Sequence, residues 1–406
     1  MSRKIVAKNV LSMVLAQAIN IIAPFLVLPF LARELCVDEF SKAILMLTIC
    51  SLCYVVSDYG FNVSNTYQIS KNRNNFKFIN SLISNSYFIK VLILAGTLVV
   101  LATLSIFGDY EASYIAWVFL AIAAMSFQPL WFFQGIEKMH WATAVFAISK
   151  VGYAFLVLIF VSENSDAGTV AMFFAIANII GAVLAQYVIY SQGFRFTPPN
   201  LIQVKKLLVD GKGYFSTKMI VAIYNYSNVL FANIFIGGKS VAYYGVGEKL
   251  YNVVQSASSP IAMALYPYFS VKRDYKLLYV TLFGLSLVGI PAVIIVWAYA
   301  EAIIGFIYGE NYIHQADVIR YFAIAGYFSV LNAISGYPAF ALLNKPELAN
   351  KSAYVGFVVY LLAISNLFFF SFWSVLNLVK IVILVEFSVF IVRTLLFRRE
   401  IKSVER

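Results

Sequence analysis

Apolar runs long enough to cross a bilayer recur from one end of this chain to the other, and the loops between them alternate in charge. A hydrocarbon core about 30 Å thick takes roughly 20 helical residues, and only helices or closed barrels satisfy their backbone groups inside it. Runs over roughly 10–32, 41–66, 79–107, 113–135, 141–161, 168–192, 214–236, 242–269, 277–300, 316–343, 349–370 and 373–397 predict an all-α integral membrane protein of about twelve transmembrane helices. Of the Lys and Arg at or beyond the ends of these runs, all but Arg33, Lys42 and Lys239 fall in alternate loops, with Arg3 and Lys4 at one end of the chain and Arg398, Arg399 and Lys402 at the other. The positive-inside rule puts those loops and both termini on the cytoplasmic side. The opposite loops are acidic, with Glu34, Asp38, Glu111, Glu163, Glu301 and Glu310.

Composition agrees with this reading and narrows the partners. Of 406 residues 62% are hydrophobic and 12% charged, with mean hydropathy +0.82, whereas a soluble domain carries about 25% charged residues. The runs leave no room for a separate soluble domain. A net charge of +11 in a soluble protein points to nucleic acid, but here its placement on one side of the membrane accounts for it, and no nucleic-acid partner is expected. Cys50 and Cys53 form a CxxC inside an apolar run with no second Cys/His pair, so they read as small core residues and not as a metal or redox site. His140 and His314 are far apart in sequence. No metal, cofactor or catalytic residue is expected. The first run lacks a small-residue cleavage pattern and reads as a retained span.

The longest connection, 194–213, contains Pro198-Pro199 and four basic residues. It divides the runs six and six, into an N-terminal lobe 1–193, a cytoplasmic linker 194–213 and a C-terminal lobe 214–406. An even number of spans per half gives both halves the same orientation, which permits a pseudo-symmetric pair related by an axis along the membrane normal. A short echo supports this, since Ile106-Phe107-Gly108-Asp109-Tyr110 ends the third run and Ile307-Tyr308-Gly309-Glu310-Asn311-Tyr312 ends the ninth. Two such lobes predict a central cavity with alternating access.

Ionisable residues inside the runs are Lys90, Lys150, Lys218, Lys249, Arg320 and Lys380 against Asp58, Glu248 and Glu386. Each costs roughly 2.5–3.5 kcal/mol at a helix centre on insertion scales, so a buried one is a functional candidate, the alternatives being snorkelling or local pairing. Helical spacing puts Lys249 on a polar stripe with Gly245, Asn252, Ser256 and Ser259, and Lys218 at the head of one through Asn225 and Asn228. Asp58 shares a face with Ser51, Tyr54, Asn62 and Asn65, and the first run carries Gln17, Asn20 and Pro24 along one side. Lys249, Lys218, Lys150, Lys90, Asn252, Asn225 and Asn20 are therefore the candidate lining of the cavity. Arg320 is expected to pair with Asp317, and Glu386 with Arg393 seven residues on, while Lys380 snorkels. The excess of cations implies an anionic cargo. Prolines within the runs (Pro24, Pro29, Pro129, Pro260, Pro267, Pro291, Pro338) are compatible with bends whose freed backbone groups line a cavity.

Four stretches carry a resemblance. They are Gln17-Ala-Ile-Asn20 with Pro24 to Arg33; Gln128-Pro129-Leu130-Trp131 through Gln134-Gly135-Ile136-Glu137-Lys138; Tyr243-Tyr244-Gly245-Val246-Gly247-Glu248-Lys249 with Pro260 to Pro267; and Tyr308-Gly309-Glu310 with Arg320 and Gly336-Tyr337-Pro338. In these the chain resembles the Wzx-type O-antigen flippases of the multidrug/oligosaccharidyl-lipid/polysaccharide exporter superfamily. The resemblance implies two six-helix lobes and movement of an undecaprenyl-pyrophosphate-linked oligosaccharide from the cytoplasmic to the periplasmic leaflet of a bacterial inner membrane. It further implies work alongside other O-antigen assembly proteins, and coupling to a proton or sodium gradient for which Asp58 and Glu386 are the candidates. The residues suit that cargo: a pyrophosphate in low dielectric interacts strongly with a fixed ammonium, and sugar hydroxyls need polar partners. The alternatives are a multidrug or other polysaccharide exporter of the same superfamily, a major-facilitator transporter, and a membrane oligosaccharide polymerase or glycosyltransferase. Against the enzyme stand short external loops and no paired carboxylates. Against the facilitator stands a 71–77 loop that reads Lys-Asn-Arg-Asn-Asn-Phe-Lys instead of a Gly/Asp/Arg-rich signature.

Overall fold

A computed structural model describes the backbone of residues 3–107 and 110–404, and side chains from Leu15 to Lys402 except Ala16, Gln17, Ile21 and Phe107–Asp109. Gly108 and Asp109, part of the echo between the third and ninth runs, lie outside the described residues, as does the side chain of Gln17. All regular structure among the described residues is helical. The elements are α1 (Arg3–Glu34), α2 (Val37–Asp58), α3 (Phe61–Lys71), α4 (Phe76–Phe107), α5 (Ala112–Ser126), α6 (Leu130–Gly135), α7 (Met139–Phe160) and α8 (Ala167–Ser191). There follow α9 (Leu201–Phe231), extended by a π turn to Ile236, then α10 (Lys239–Lys272) and α11 (Tyr275–Tyr308). A 3₁₀ turn (Glu310–Gln315) leads into α12 (Ala316–Ser335), α13 (Tyr337–Ala341), α14 (Glu347–Phe370) and α15 (Val375–Val404).

Ten stretches among the described residues are helical, long and apolar enough to cross a membrane. The predicted runs 10–32 and 242–269 correspond to α1 and α10, which are not among the ten. In α10 the polar stripe of Lys249, Asn252, Ser256 and Ser259 lowers the hydropathy of a 34-residue helix.

Three runs read as continuous are broken. Within 41–66, α2 stops at Asp58 because Tyr59 (φ 45°) and Gly60 (φ 79°) are left-handed. A Cβ on Gly60 would lie 2.7 Å from the Cβ of Tyr214 and 3.1 Å from the nitrogen of Phe215, so glycine also lets α9 approach here. Within 113–135, Phe127 and Gln128 separate α5 from Pro129 and α6, since proline has no N–H and disfavours helix in the residue before it. Within 316–343, Gly336 (φ −82°, ψ −124°) separates α12 from α13, with Pro338 in the first turn of the new helix. Prolines elsewhere do not break their helices, and the one non-helical residue inside α11 is Tyr299, not Pro291. Within the predicted linker 194–213, only residues up to 200 are irregular, and α9 begins at Leu201.

The chain forms two compact units, Met1–Tyr226 and Ser227–Arg406. In the first, α5 packs on α8, α8 on α7 and α7 on α1, while α2 and α4 lie against α5 and α3 against α6. In the second, α12 packs on α15, α15 on α14, α10 and α11 on α12, and α10 on α13. A pairing thus recurs, α5 on α8 in the first unit and α12 on α15 in the second, each of α5 and α12 ending at a break before a proline. The breaks are also alike in sequence, Ser126-Phe-Gln-Pro129 and Ser335-Gly-Tyr-Pro338. Each short helix then closes on a left-handed residue, Glu137 (φ 61°) or Asn344 (φ 53°). The lysine after it donates its N–H five residues back, from Lys138 to the Phe133 carbonyl (2.9 Å) and from Lys345 to the Phe340 carbonyl (3.1 Å). Aromatic cores pin both closures, one holding Phe61, Trp131, Phe132 and Phe133, the other Phe269, Phe340 and Phe397.

Candidate functional site

Within the first unit the α2–α3 break brings three charges together. Asp58 ends α2 and is 2% exposed. Its Oδ1 accepts the Asn62 N–H (3.3 Å), so it caps the start of α3, and its Oδ2 pairs with Lys218 Nζ of α9 at 2.7 Å. Lys90, in the middle of α4, is 1% exposed and donates to the Ser126 carbonyl at 2.6 Å. That carbonyl closes α5, where the helix ladder stops short of Pro129. The Ser126 hydroxyl donates to Ser57 Oγ at 2.8 Å, so a short polar bridge joins the Lys90 partner to the residue before Asp58. Asn62 Nδ2 donates to the Tyr54 hydroxyl (3.3 Å), while Asn62 Oδ1 is buried without a partner. Two lysines around one aspartate leave this cluster with a surplus positive charge. Lys218 is its accessible member, with a third of its side chain exposed.

Lys150 lies elsewhere in the same unit. It is half-buried on α7 with Nζ 5.6 Å from the centroid of the Phe174 ring of α8. Asn20 is exposed on α1.

In the second unit, Lys249 of α10 pairs with Glu248, its neighbour in sequence, at 2.7 Å. Glu248 is 4% exposed, and Lys249 is half-buried with Asn252, Ser256 and Ser259 along its side of the helix. Asn228 of α9 is fully buried, donating to the Tyr244 hydroxyl (3.1 Å) and accepting from that of Tyr360 (2.9 Å). Asn225 is half-buried. Glu386 of α15 accepts from the Tyr251 hydroxyl and from Asn332 Nδ2, both at 2.7 Å. The expected direct pairing of Glu386 with Arg393 runs instead through Asn332, whose carbonyl accepts from Arg393 while its amide holds Glu386. In the first unit, Gln186 of α8 donates to the Phe127 carbonyl, in the break between α5 and α6, at 2.7 Å.

Arg320 pairs with Asp317 (2.7 Å), as its spacing predicts, and also with Glu301 (3.1 Å). Lys380 is exposed, 5.5 Å from the centroid of the Tyr321 ring.

Sequence reasoning names Asp58, Lys90 and Lys218 separately, and only the structure assembles them. It does not foresee Glu248 as the partner of Lys249, because adjacent residues on a helix point apart, and the long lysine arm folds back to close the gap. It does not foresee Tyr251 and Asn332 around Glu386 either. Among the described residues no group of His, Cys, Asp and Glu is arranged to hold a metal ion. Outside the spans, the Asp166 carboxyl is held below its usual range because the N–H and hydroxyl of Thr169 both donate to it, capping α8.

Comparison with known proteins bears on the whole chain. A family model described as polysaccharide biosynthesis protein matches residues 6–271. Two relatives are both described as "Putative O-antigen transporter". The one from Escherichia coli (strain K12) is 26% identical over 269 residues, covering 65% of this chain and 64% of that protein. The one from Shigella dysenteriae is 25% identical over 276 residues, covering 66% and 68%. The chain thus matches about two thirds of the length of these relatives. Among solved structures, an inward-facing multidrug resistance MATE family transporter of the MOP superfamily gives a TM-score of 0.72 at 10% identity, covering 98% of both chains. The lipid II flippase MurJ in its inward closed conformation gives 0.72 at 12% identity, over 98% of this chain and 88% of that one. At such identities the likeness concerns the fold alone.

Proposed function

The chain belongs to the polysaccharide biosynthesis protein family, and on that premise we propose that it is a flippase for an undecaprenyl-pyrophosphate-linked oligosaccharide, an O-antigen repeat unit. The cargo moves from the cytoplasmic to the periplasmic leaflet of a bacterial inner membrane through alternating access. The twelve helices divide six and six about the 194–213 segment, with both termini cytoplasmic. The reading is supported by relatives described as putative O-antigen transporters and by a fold shared with transporters caught in inward- and outward-facing conformations.

The observation that carries it is the pair of partly accessible lysines backed by buried carboxylates inside apolar helices, Lys218 on Asp58 and Lys249 on Glu248. Charges in such positions are costly and mark ion or substrate paths. A lysine already neutralised by a carboxylate has a tolerable resting state. It can exchange that partner for a phosphate oxygen, which a neutral cargo would not require. Hydroxyl and amide groups around it, such as Asn252, Ser256 and Asn225, suit sugar hydroxyls. Glu386, held by neutral donors, is the stronger candidate for coupling to a proton or sodium gradient, and Asp58 the weaker because it is engaged by Lys218.

Complementation of a flippase-null strain, scored for surface polysaccharide, tests the reading. Wild type is expected to restore export, and Lys218→Ala and Lys249→Ala to reduce it at least about tenfold, the loss of one charge-assisted contact to an anion. Normal export by both variants sinks the cationic path. A wild type that fails to export sugar but raises resistance to cationic drugs turns the assignment to a multidrug exporter.

A further inference from the structure

Lys90 has no part in that account, and its position needs one. An ammonium 1% exposed in mid-membrane, with a single carbonyl as its hydrogen-bond partner, is an expensive group to retain. A methionine would fill the same space. Three observations place it in a working relation with the Asp58–Lys218 pair. Its acceptor, Ser126, is bridged through its hydroxyl to Ser57, next to Asp58. Lys90 lies within Coulombic range of both Asp58 and Lys218. Exposure is also graded, since Asp58 and Lys90 are sealed while a third of Lys218 is open.

We infer that Lys90 is a reserve counter-ion, a positioning residue that takes over Asp58 when Lys218 turns to the pyrophosphate of the cargo. This rests on the flippase reading and extends it to how the site admits an anion. If Lys218 left Asp58 for a phosphate oxygen with nothing in reserve, a buried carboxylate would be stranded, and breaking a buried pair by removing one partner is strongly unfavourable. With Lys90 sealed in the same cluster, Asp58 exchanges one ammonium for another. Lys90 gives up the Ser126 carbonyl, while the next carbonyl of the break, that of Phe127, stays held by Gln186. Net charge in the sealed part of the cluster is zero after the exchange, and the surplus charge of the resting cluster is cancelled by the cargo. The exchange also removes one tie between α9 and the α2–α3 joint, where the Tyr59 hydroxyl on the Leu208 carbonyl (3.3 Å) and the Tyr59–Phe215 stack (4.6 Å) still hold.

The test is a double-mutant cycle on the full-length protein in detergent, reading the affinity for farnesyl pyrophosphate, with farnesol as the uncharged control. Lys90→Gln, which keeps a donor toward Ser126 but no charge, is expected to weaken binding about tenfold, and Asp58→Asn to strengthen it about tenfold. In the Asp58→Asn background Lys90→Gln is expected to change binding less than about twofold, because there is no carboxylate left to receive. A purely structural role for Lys90 predicts the same loss in both backgrounds, and that result overturns the exchange. So does weaker binding by Asp58→Asn. Lys90→Met is run alongside to show that the effect follows charge. A wild type that restores export yet binds farnesyl pyrophosphate no better than farnesol overturns the exchange and leaves the flippase reading standing, whereas specific binding without export does the reverse.

Discussion

Replacing Glu386 separates a structural role from a coupling role, because the two predict different ranks for the same pair of variants. Its carboxylate receives Tyr251 O–H and Asn332 Nδ2–H, each at 2.7 Å, in a site 9% exposed. Glu386→Leu strands both donors. Hydrogen bonds to a charged group contribute about 1.5–3 kcal/mol in water-soluble proteins, but side-chain bonds between membrane helices average about 0.6 and reach about 1.7 kcal/mol, since the unfolded chain in the bilayer also finds partners. Two bonds near the upper membrane value give a loss of about 2–3 kcal/mol. At roughly 2–4 °C per kcal/mol for a unit of this size, the melting temperature falls by about 4–12 °C. Glu386→Gln retains an acceptor for Tyr251. The Asn332 amide, whose Oδ1 is buried without a partner, can turn over to accept the new N–H, so the loss stays near one bond and the shift below about 5 °C. Transport follows a different order, since neither variant can bind and release a proton or sodium ion at this position, and both are expected to lose gradient-driven export. Thermal unfolding in detergent, followed by fluorescence, gives the first ranking, and complementation of surface polysaccharide the second. Glu386→Gln melting as low as Glu386→Leu would falsify the hydrogen-bond apportionment, and export at the wild-type level by Glu386→Gln removes Glu386 from the coupling path.

Gly247→Ala is expected to cost about 1–3 kcal/mol, since a Cβ there would stand 2.5 Å from a Phe322 ring carbon and 2.7 Å from Val318 Cγ1 and would pry α10 from α12; an unchanged melting temperature refutes the close packing. Asp166→Ala removes the cap of α8 and is expected to cost about 0.5–2 kcal/mol near neutral pH. Because the Asp166 carboxyl is depressed by its bonds from Thr169, that contribution is fully present above the unfolded value of about 4 and lost as pH falls through the lower folded value. The melting gap between wild type and variant therefore closes only in strong acid, and a gap that widens there contradicts the cap.

Much of the architecture was legible because bilayer physics acts on stretches of chain. Helix existence follows from run length, and ten of the expected spans appear as long apolar helices. The breaks at Pro129 and near Pro338 carry a local signal that sequence reading noted as bends. The break at Tyr59-Gly60 was missed because its cause is partly remote, the close approach of Tyr214 on α9. The site was legible one residue at a time. Asp58, Lys90 and Lys218 stand out because ionisable side chains in apolar runs are costly wherever they point, but their mutual distances depend on three different helices.

Sequence by itself determined that this chain is helical and membrane-borne, where its charges lie along it, and which polar residues share a helix face. These depend only on the 1.5 Å rise and 3.6-residue turn of a helix and on the cost of polar groups in hydrocarbon. Tertiary structure alone decided which carboxylate answers which lysine. It set Glu248 on Lys249, Asp58 on Lys218 and a bare carbonyl on Lys90, and it placed Asn332 between Glu386 and Arg393. Apart from Glu248 and Lys249, neighbours on one helix, such pairings are fixed by breaks and crossings of helices distant in sequence, and ion-pair energy falls off over a few ångströms, a scale that spacing along the chain does not report for them.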